Sequence, residues 1–548
     1  MPVAESLQGR SGEGATRPSQ MLARLQTVLA AALVVVFMVL GWMGRGPIEI
    51  GAGDDVIYLS LSRSLESGSY REIYRASAPL QTKYPPAFPA WLVLVRRATG
   101  DRLDAIVVAN LILVALAMLL LYAVARQFAG GWCALALLLL LGLSQALLWM
   151  GGSYYPEALF LLLSTGSLVA TLSAERHGQR AVFAAIALAL LAFLTRLAGI
   201  TLVVAIGVWL WSRRKRIELA VYALASTLVV GGWFGYVRLA SSVHTVRSYA
   251  SEYGLRGSHI GGGAISQLTS RVWHNALVYG TELLPAGLSL LAIHGTRIDD
   301  WFWLVVNLTL LSTGIVVLWR RWRAAAAYLV LYAGLLLIWP WPIDRLLDPA
   351  VPLVLLTFLL GAWRLALRLP VRARGPVLAG FVALLTVGAT IGAAERVGRY
   401  RACDRANPFT NPGCFNEHKR SIVSASEYLR EHAAAGDVVL AWRPSDVQFL
   451  SGHLGEHAEL VLRAPAGDIA HELRERKIQH VLLTPIFAQE RGALADGLLA
   501  ACRELQVEAR FQPQTLLLST TVPVAPTADA CPALSEFVRA NPNIRAGR

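Results

Sequence analysis

Charge is what this chain has least of. Only 16% of its 548 residues are Asp, Glu, Lys or Arg, against 55% hydrophobic, and that balance excludes an ordinary soluble enzyme over most of its length. Lysine is nearly missing: it stands only at positions 83, 215, 419 and 477, so arginine carries almost all of the positive charge behind the formal net +14. The arginines sit largely in short clusters between apolar runs, where membrane topology accounts for them and no nucleic-acid partner is called for. No internal repeat and no matched pair of Gly/Pro-broken spans is visible, which argues against an inverted-repeat transporter. The first apolar run is too long for a signal-peptide core and no cleavage pattern follows it, so it reads as a retained anchor with a cytoplasmic N-terminus.

What is present is a series of apolar runs, many near the ~20 residues that cross a bilayer as a helix. They fall at about 23–43, 103–126, 131–149, 156–174, 180–196, 198–212, 217–238, 301–319, 324–341, 346–366 and 375–394, about eleven in all. The basic clusters SRRKR (212–216) and WRRWR (319–323) then both face the cytoplasm, as the positive-inside bias requires. The piece 275–293 is apolar, but Glu282 and Pro285 and the sidedness of 319–323 make it an interfacial or re-entrant segment. AFPAWLVLVRRATG (87–100), in the first outer loop, reads as an amphipathic helix lying at the interface.

The composition divides the chain into a disordered cytoplasmic tail (1–22), a polytopic α-helical membrane domain (23–398) and a small extracytoplasmic α/β domain (399–548). In the last of these, SIVSASEYLREH is expected to be a helix, VVLAW, IQHVLLT and QTLLLSTTV strands, and DIAHELRER a further helix. Its four cysteines, Cys403, Cys414, Cys502 and Cys531, allow three pairings, of which 403–414 with 502–531 is the most local.

The expected topology brings several ionisable groups to the outer face. Asp54 and Asp55 follow the first span, Lys83 precedes Tyr84-Pro85-Pro86, Glu157 opens the fourth span, Arg196 lies at the fifth-to-sixth turn, and Asp344-Arg345 joins the ninth and tenth spans. Each has an ordinary explanation: a solvated turn for the acidic pair, a favoured helix start for Pro156-Glu157, snorkelling for the arginines. Their coincidence on one side points to a site, because ionisable groups near hydrocarbon are costly. A carboxylate there can take a proton from an acceptor hydroxyl, Arg and Lys can hold a phosphate, and a second carboxylate can orient the first or bind a divalent metal (Mg or Mn).

GDDVIYLSLSRSL, KYPPAFPAW, YYPEALFLLLS, LTRLAGI and DRLLDPAVPL, in this order, resemble the GT-C superfamily of polyprenyl-phosphate-sugar-dependent glycosyltransferases, nearest the protein O-mannosyltransferase and aminoarabinose transferase branch. The resemblance spans roughly residues 25–365. It implies a multi-pass inner-membrane enzyme that moves a hexosyl or pentosyl group from a polyprenyl phosphate to a glycan, lipid or protein acceptor outside, with inversion. It also implies Asp54 as the catalytic carboxylate with Asp55 beside it, Glu157 as an assisting or metal-binding acid, and Lys83 and Arg345 on the donor phosphate, with Arg196 a further phosphate candidate. Tyr58, Tyr84 and Tyr155 are the expected pocket aromatics. Two departures stand out: Tyr84 separates Lys83 from Pro-Pro, and the second acid is Asp55 where Glu is commoner. A lipid or polysaccharide transporter and a non-catalytic scaffold are the alternatives.

Overall fold

The computed structural model describes residues 17–51, 53–241, 264–288, 297–403, 408–409, 411–463, 469–485, 492–520 and 530–540. Most of the N-terminal tail, the Gly-rich stretch 251–263 and the end of the 275–293 segment lie outside them. The first helices are α1 (Arg17–Met43), α2 (Asp55–Glu66), α3 (Ala87–Thr99), α4 (Leu103–Ala129), α5 (Gly131–Leu143), α6 (Gln145–Gly151) and α7 (Glu157–Thr195). α1 starts before the expected Ala23 because the polar turn at its start is itself helical. α5 and α6 form one span bent by 61° at Ser144. α7 is two crossings joined at Gly178, whose φ of 57° suits a residue without Cβ.

Among the described residues eight helices are long and apolar enough to cross a bilayer, the bent α5–α6 pair makes a ninth, and two shorter apolar helices are Leu197–Ser212 and Arg323–Ile338. All eleven expected stretches are thus helical. The 275–293 segment is not among the crossing helices; its described part belongs to a helix that starts earlier, at Ala264, and passes through a π turn at Tyr279–Leu283. That helix is held by Asn275, whose amide donates to the carbonyls of Leu336, Leu337 and Trp339 at 3.2, 3.0 and 2.7 Å, where the Arg323–Ile338 helix ends.

The Asp344–Ala366 helix is the innermost, with 83% of its most apolar stretch buried, whereas the corresponding stretches of Arg216–Ala240 and Val371–Arg401 are only 11% and 17% buried and turn apolar faces outward to lipid. It packs closely on Arg297–Arg321 because glycines meet backbone there. A Cβ on Gly361 would lie 2.3 Å from the Leu310 carbonyl oxygen, and one on Gly314 2.1 Å from that of Thr357. Close backbone approach through small residues replaces the hydrophobic drive that lipid does not supply.

The C-terminal part is a five-stranded sheet of β1 (Val439–Ala441), β2 (Gly455–His457), β3 (His480–Leu483), β4 (Gln506–Phe511) and β5 (Thr515–Ser519) in the order β2-β1-β3-β5-β4. β2, β1 and β3 run parallel, while β5 is antiparallel to both β3 and β4. Disulfides join Cys403 to Cys414 and Cys502 to Cys531, with Cα atoms 4.5 and 4.9 Å apart.

Two contacts tie the loop after α2 to this sheet. Arg75 pairs with Gly455 in a parallel bridge, extending the sheet beyond β2, and its side chain, 1% exposed, forms an ion pair with Glu456 at 3.1 Å.

On the other side of β1, at the start of β3, His480 is clamped between Glu508 at 2.7 Å and Asp437 at 3.1 Å. Burial favours the neutral ring, but the two carboxylates outweigh it and raise the His480 pKa. A raised folded pKa contributes stability present below about pH 6.5, the ordinary histidine value, and lost as pH climbs through the folded value. Hydrogen exchange of β3 and β5 in the full chain, corrected for intrinsic rate, is therefore expected to accelerate as pH rises above 6.5, and His480→Gln to remove that dependence. Equal slopes for the two proteins would refute the clamp.

Candidate active site

The site forms where five distant pieces of sequence meet at one end of the helical bundle. Asp54 is at the N-cap of α2, but its side chain makes no cap hydrogen bond. It turns instead to accept from the Tyr84 hydroxyl at 2.9 Å and from Arg345 Nη1 at 3.0 Å. Arg345 also donates through Nε to Glu157 at 2.6 Å, so one guanidinium joins the two acids. Glu157 is fully buried at the start of α7, and Arg196 Nη1 lies 2.9 Å from the same carboxylate oxygen. Arg196 owes its position to a broken helix: it is extended (φ −147°, ψ 137°) between α7 and the Leu197–Ser212 helix.

The arrangement decides between the readings open at the sequence level. Arg196 and Arg345 do not snorkel; they converge on a buried carboxylate. Pro156-Glu157 does start a helix, yet the carboxylate is spent on two guanidinium groups. Tyr84, the residue interposed before Pro85-Pro86, delivers the hydroxyl on Asp54.

A cavity of about 160 Å3 opens beside this group, walled by Asp54, Tyr58, Lys83, Tyr84, Arg196, Arg345, Trp339 and Trp341 among others. Three cations and one carboxylate thus face one space, with aromatic rings beside them. Tyr58 stands edge-on to Tyr84 at 5.0 Å, and the Arg345 guanidinium lies over the Tyr155 ring at 4.0 Å, a cation–π contact that holds the fork flat.

Asp55 does not share this cavity. It is 1% exposed, points behind Asp54, and accepts the Glu49 backbone N–H at 3.0 Å. Expected beside Asp54 as a catalytic partner, it braces the loop from the rear, since consecutive residues at a helix start diverge. Tyr155 lies against the same loop: a Cβ on Gly53 would fall 2.5 Å from its hydroxyl and 2.4 Å from Glu49 Cβ, so only glycine admits this packing.

The two aspartates are driven apart in acidity. Burial pushes Asp54 up, but the charges of Arg345, Arg443 and Lys83 outweigh it and hold the carboxyl at about 2. Burial dominates at Asp55 and raises it to about 7, against the Glu49 N–H and the Tyr155 hydroxyl that favour its ionised form.

A divalent ion was an option for Asp54 and Glu157. Among the described residues no group of three or more His, Cys, Asp or Glu is placed to hold a metal ion, and Arg345 occupies the space between the two acids. The residues present do not fit such an ion.

Sequence reasoning missed Arg443, which follows β1 and places Nη1 3.7 Å from Asp54 Oδ1. No motif marks it, and only the docking of the sheet brings it there.

The family model described as dolichyl-phosphate-mannose-protein mannosyltransferase matches residues 83–232. No curated protein matches the chain. Among solved structures, ArnT from Cupriavidus metallidurans in the apo state aligns at a TM-score of 0.55 with 14% identity, over 93% of this chain and 100% of that one. The same protein bound to undecaprenyl phosphate aligns at 0.51 with 14% identity, over 92% and 99%. These matches bear out the GT-C resemblance, and the fold is similar to that of ArnT over nearly the whole chain.

Glu157→Gln would leave the partly buried Arg196 and Arg345 without the buried anion they share, an arrangement that costs roughly 3 kcal/mol. Breaking the exposed Arg510–Glu536 pair by Arg510→Ala should cost under about 1 kcal/mol. Thermal unfolding in detergent is expected to separate the two variants clearly, and equal melting temperatures would refute the anchoring role of Glu157.

Proposed function

We propose that this chain is a membrane glycosyltransferase that moves a sugar from a polyprenyl-phosphate donor to an acceptor at the outer face of the inner membrane, with inversion at the anomeric carbon. The carrying observation is that the ionised Asp54 borders a cavity whose other charged walls are Lys83, Arg196 and Arg345. ArnT, which shares the fold, has been seen with undecaprenyl phosphate bound, and that supports the same class of donor here.

In this reading the donor phosphate enters among Lys83, Arg196 and Arg345, where guanidinium forks match its oxygens. Trp339, Trp341 and Tyr58 give the sugar and the first prenyl unit an apolar wall. The acceptor hydroxyl attacks the anomeric carbon and its proton passes to Asp54. The bond from that carbon to the phosphate oxygen breaks, and its electron pair stays on the polyprenyl phosphate. That leaving group is already a stabilised anion, so no general acid is required. Asp54 is a weak base while Arg345 is bound to it; a phosphate that draws on Arg345 raises the basicity of Asp54 as the donor binds, so activation and binding are one event.

The sidedness belongs to the same proposal. An N-terminus in the cytoplasm puts 212–216 and 319–323 inside, and leaves the site and the disulfide-bearing domain outside, where disulfides persist. A periplasm-dependent reporter fused after Arg548 should be active and one fused after Arg323 inactive; the reverse pattern would overturn the orientation.

The enzymatic test uses the full chain in nanodiscs carrying undecaprenyl-phosphate-linked sugars from envelope membranes, with those membranes as acceptor source and release of undecaprenyl phosphate as readout. Asp54→Asn should lower release by at least ~100-fold while leaving folding intact. Full activity in that variant would exclude Asp54 as the base.

A further inference from the structure

The soluble domain reaches into the site along a defined route. It is seated on the segment before α2 by Gly51, whose N–H donates to Asp446 at 2.7 Å, and by the Lys419–Glu49 ion pair; Glu49 in turn donates its N–H to Asp55. The Arg75 bridge to Gly455 and the Arg75–Glu456 pair fix the loop after α2 on the same domain, at a β2 start that packs against Pro444, next to Arg443. Asp54 is therefore carried on a segment that the membrane helices hold at one end and the sheet domain at the other.

Arg443 leaves the carboxyl end of β1 at this junction. Its nearest acidic groups are Asp54 at 3.7 Å and Asp446 at 3.8 Å, both beyond hydrogen-bond length. Its Nε and Nη2 are buried and make no hydrogen bond. A buried guanidinium with unused donors is costly and calls for a function. Unlike Lys83, Arg196 and Arg345, Arg443 does not line the large cavity; it lines a smaller crevice with Gly51, Asp446 and Thr484. It meets Asp54 at Oδ1, whereas Arg345 meets it at Oδ2.

We propose that Arg443 is a positioning residue for the transfer step: when the donor phosphate engages Arg345, Arg443 is the cation that stays with Asp54, so that the soluble domain completes the active site. This rests on the reading of Asp54 as the base. Arg345 serves Glu157 and Asp54 at once, and an incoming phosphate becomes a third claimant on the same fork. Once Arg345 turns to the phosphate, the Tyr84 hydroxyl still donates to the carboxylate but brings no charge, and Lys83 faces the same phosphate. Arg443, with spare donors and room to close the gap to Asp54, can hold the carboxylate in its ionised form. It also keeps the carboxylate aimed while the acceptor hydroxyl approaches, a matter of placement in which a shift of an ångström is felt.

The test compares Arg443→Gln, Arg443→Lys and Arg345→Gln in the nanodisc assay across pH. Loss of Arg443 removes a charge that favours ionised Asp54, so the acid limb of kcat should move up by about one pH unit. kcat should fall about 10- to 100-fold while the donor KM stays within about twofold. Arg443→Lys should bring the limb back toward wild type, and Arg345→Gln should instead raise the donor KM. A wild-type kcat and an unmoved limb in Arg443→Gln would reduce Arg443 to a docking contact; a donor KM raised as far as in Arg345→Gln would assign it to the phosphate site. Either result overturns the proposal. Should Arg443→Gln fail to fold by thermal melt, Arg443→Met, which keeps the length of the side chain without its charge, carries the test: a raised limb with a lowered kcat supports the role, and a wild-type limb at unchanged kcat refutes it. Undiminished transfer by Asp54→Asn would remove the base itself, a failure distinct from any result at Arg443.

Discussion

A fully buried carboxylate at the start of a membrane-crossing helix is tolerable only if its charge is answered at once, and at Glu157 two guanidinium groups answer it. Arg196 arrives from the break after α7 and Arg345 from the first turn of the innermost helix, at 2.9 and 2.6 Å. In a medium of low dielectric this triad is stiff, because separating any member leaves an uncompensated charge. Its net charge is positive, and Asp54 supplies the balancing carboxylate through Arg345. The position of the proposed base is therefore a consequence of how Glu157 is neutralised, and an anionic donor entering the cavity competes in the same balance.

The soluble domain follows from the same constraint. The segment carrying Asp54 and Asp55 has little regular structure of its own before α2, and a catalytic carboxylate needs placement to a fraction of an ångström. Membrane helices fix one side of it through Arg345 and Tyr155. The sheet domain fixes the other through Asp446 on Gly51 and Lys419 on Glu49, and adds Arg443. Under the proposed role of Arg443, the C-terminal domain completes the site rather than being an appended binding module.

Much of the architecture was legible because it depends on composition. Apolar runs near the length of a bilayer became helices at all eleven expected places, and the amphipathic stretch after Pro86 became α3, ended by Gly100 in the left-handed conformation (φ 70°). Strands β1, β3 and β5 could be read from their buried apolar runs. β2, Gly-Glu-His, could not, since three residues carry no periodicity and its place is set by pairing with β1 and with Arg75. β4, Gln-Val-Glu-Ala-Arg-Phe, does alternate polar and apolar residues as an edge strand should, and that signal could have been used.

The site divides along the same line. Residue type and order singled out Asp54, Glu157, Lys83, Arg196 and Arg345, because ionisable groups at the ends of apolar runs stand out from everything around them. Order along a chain says nothing of which way neighbouring side chains point, so it could not separate Asp54, facing the cavity, from Asp55, turned behind it. Nor could it show that Tyr84 bonds Asp54, that Arg345 stands between the two acids where a metal had been considered, or that Arg443 would cross nearly four hundred positions to meet Asp54. Local pattern and hydrophobicity determined the helices, their number and the roster of candidate groups. Burial and docking decided how those charges pair, because a charge removed from water must find its partner in space, whatever the distance in sequence.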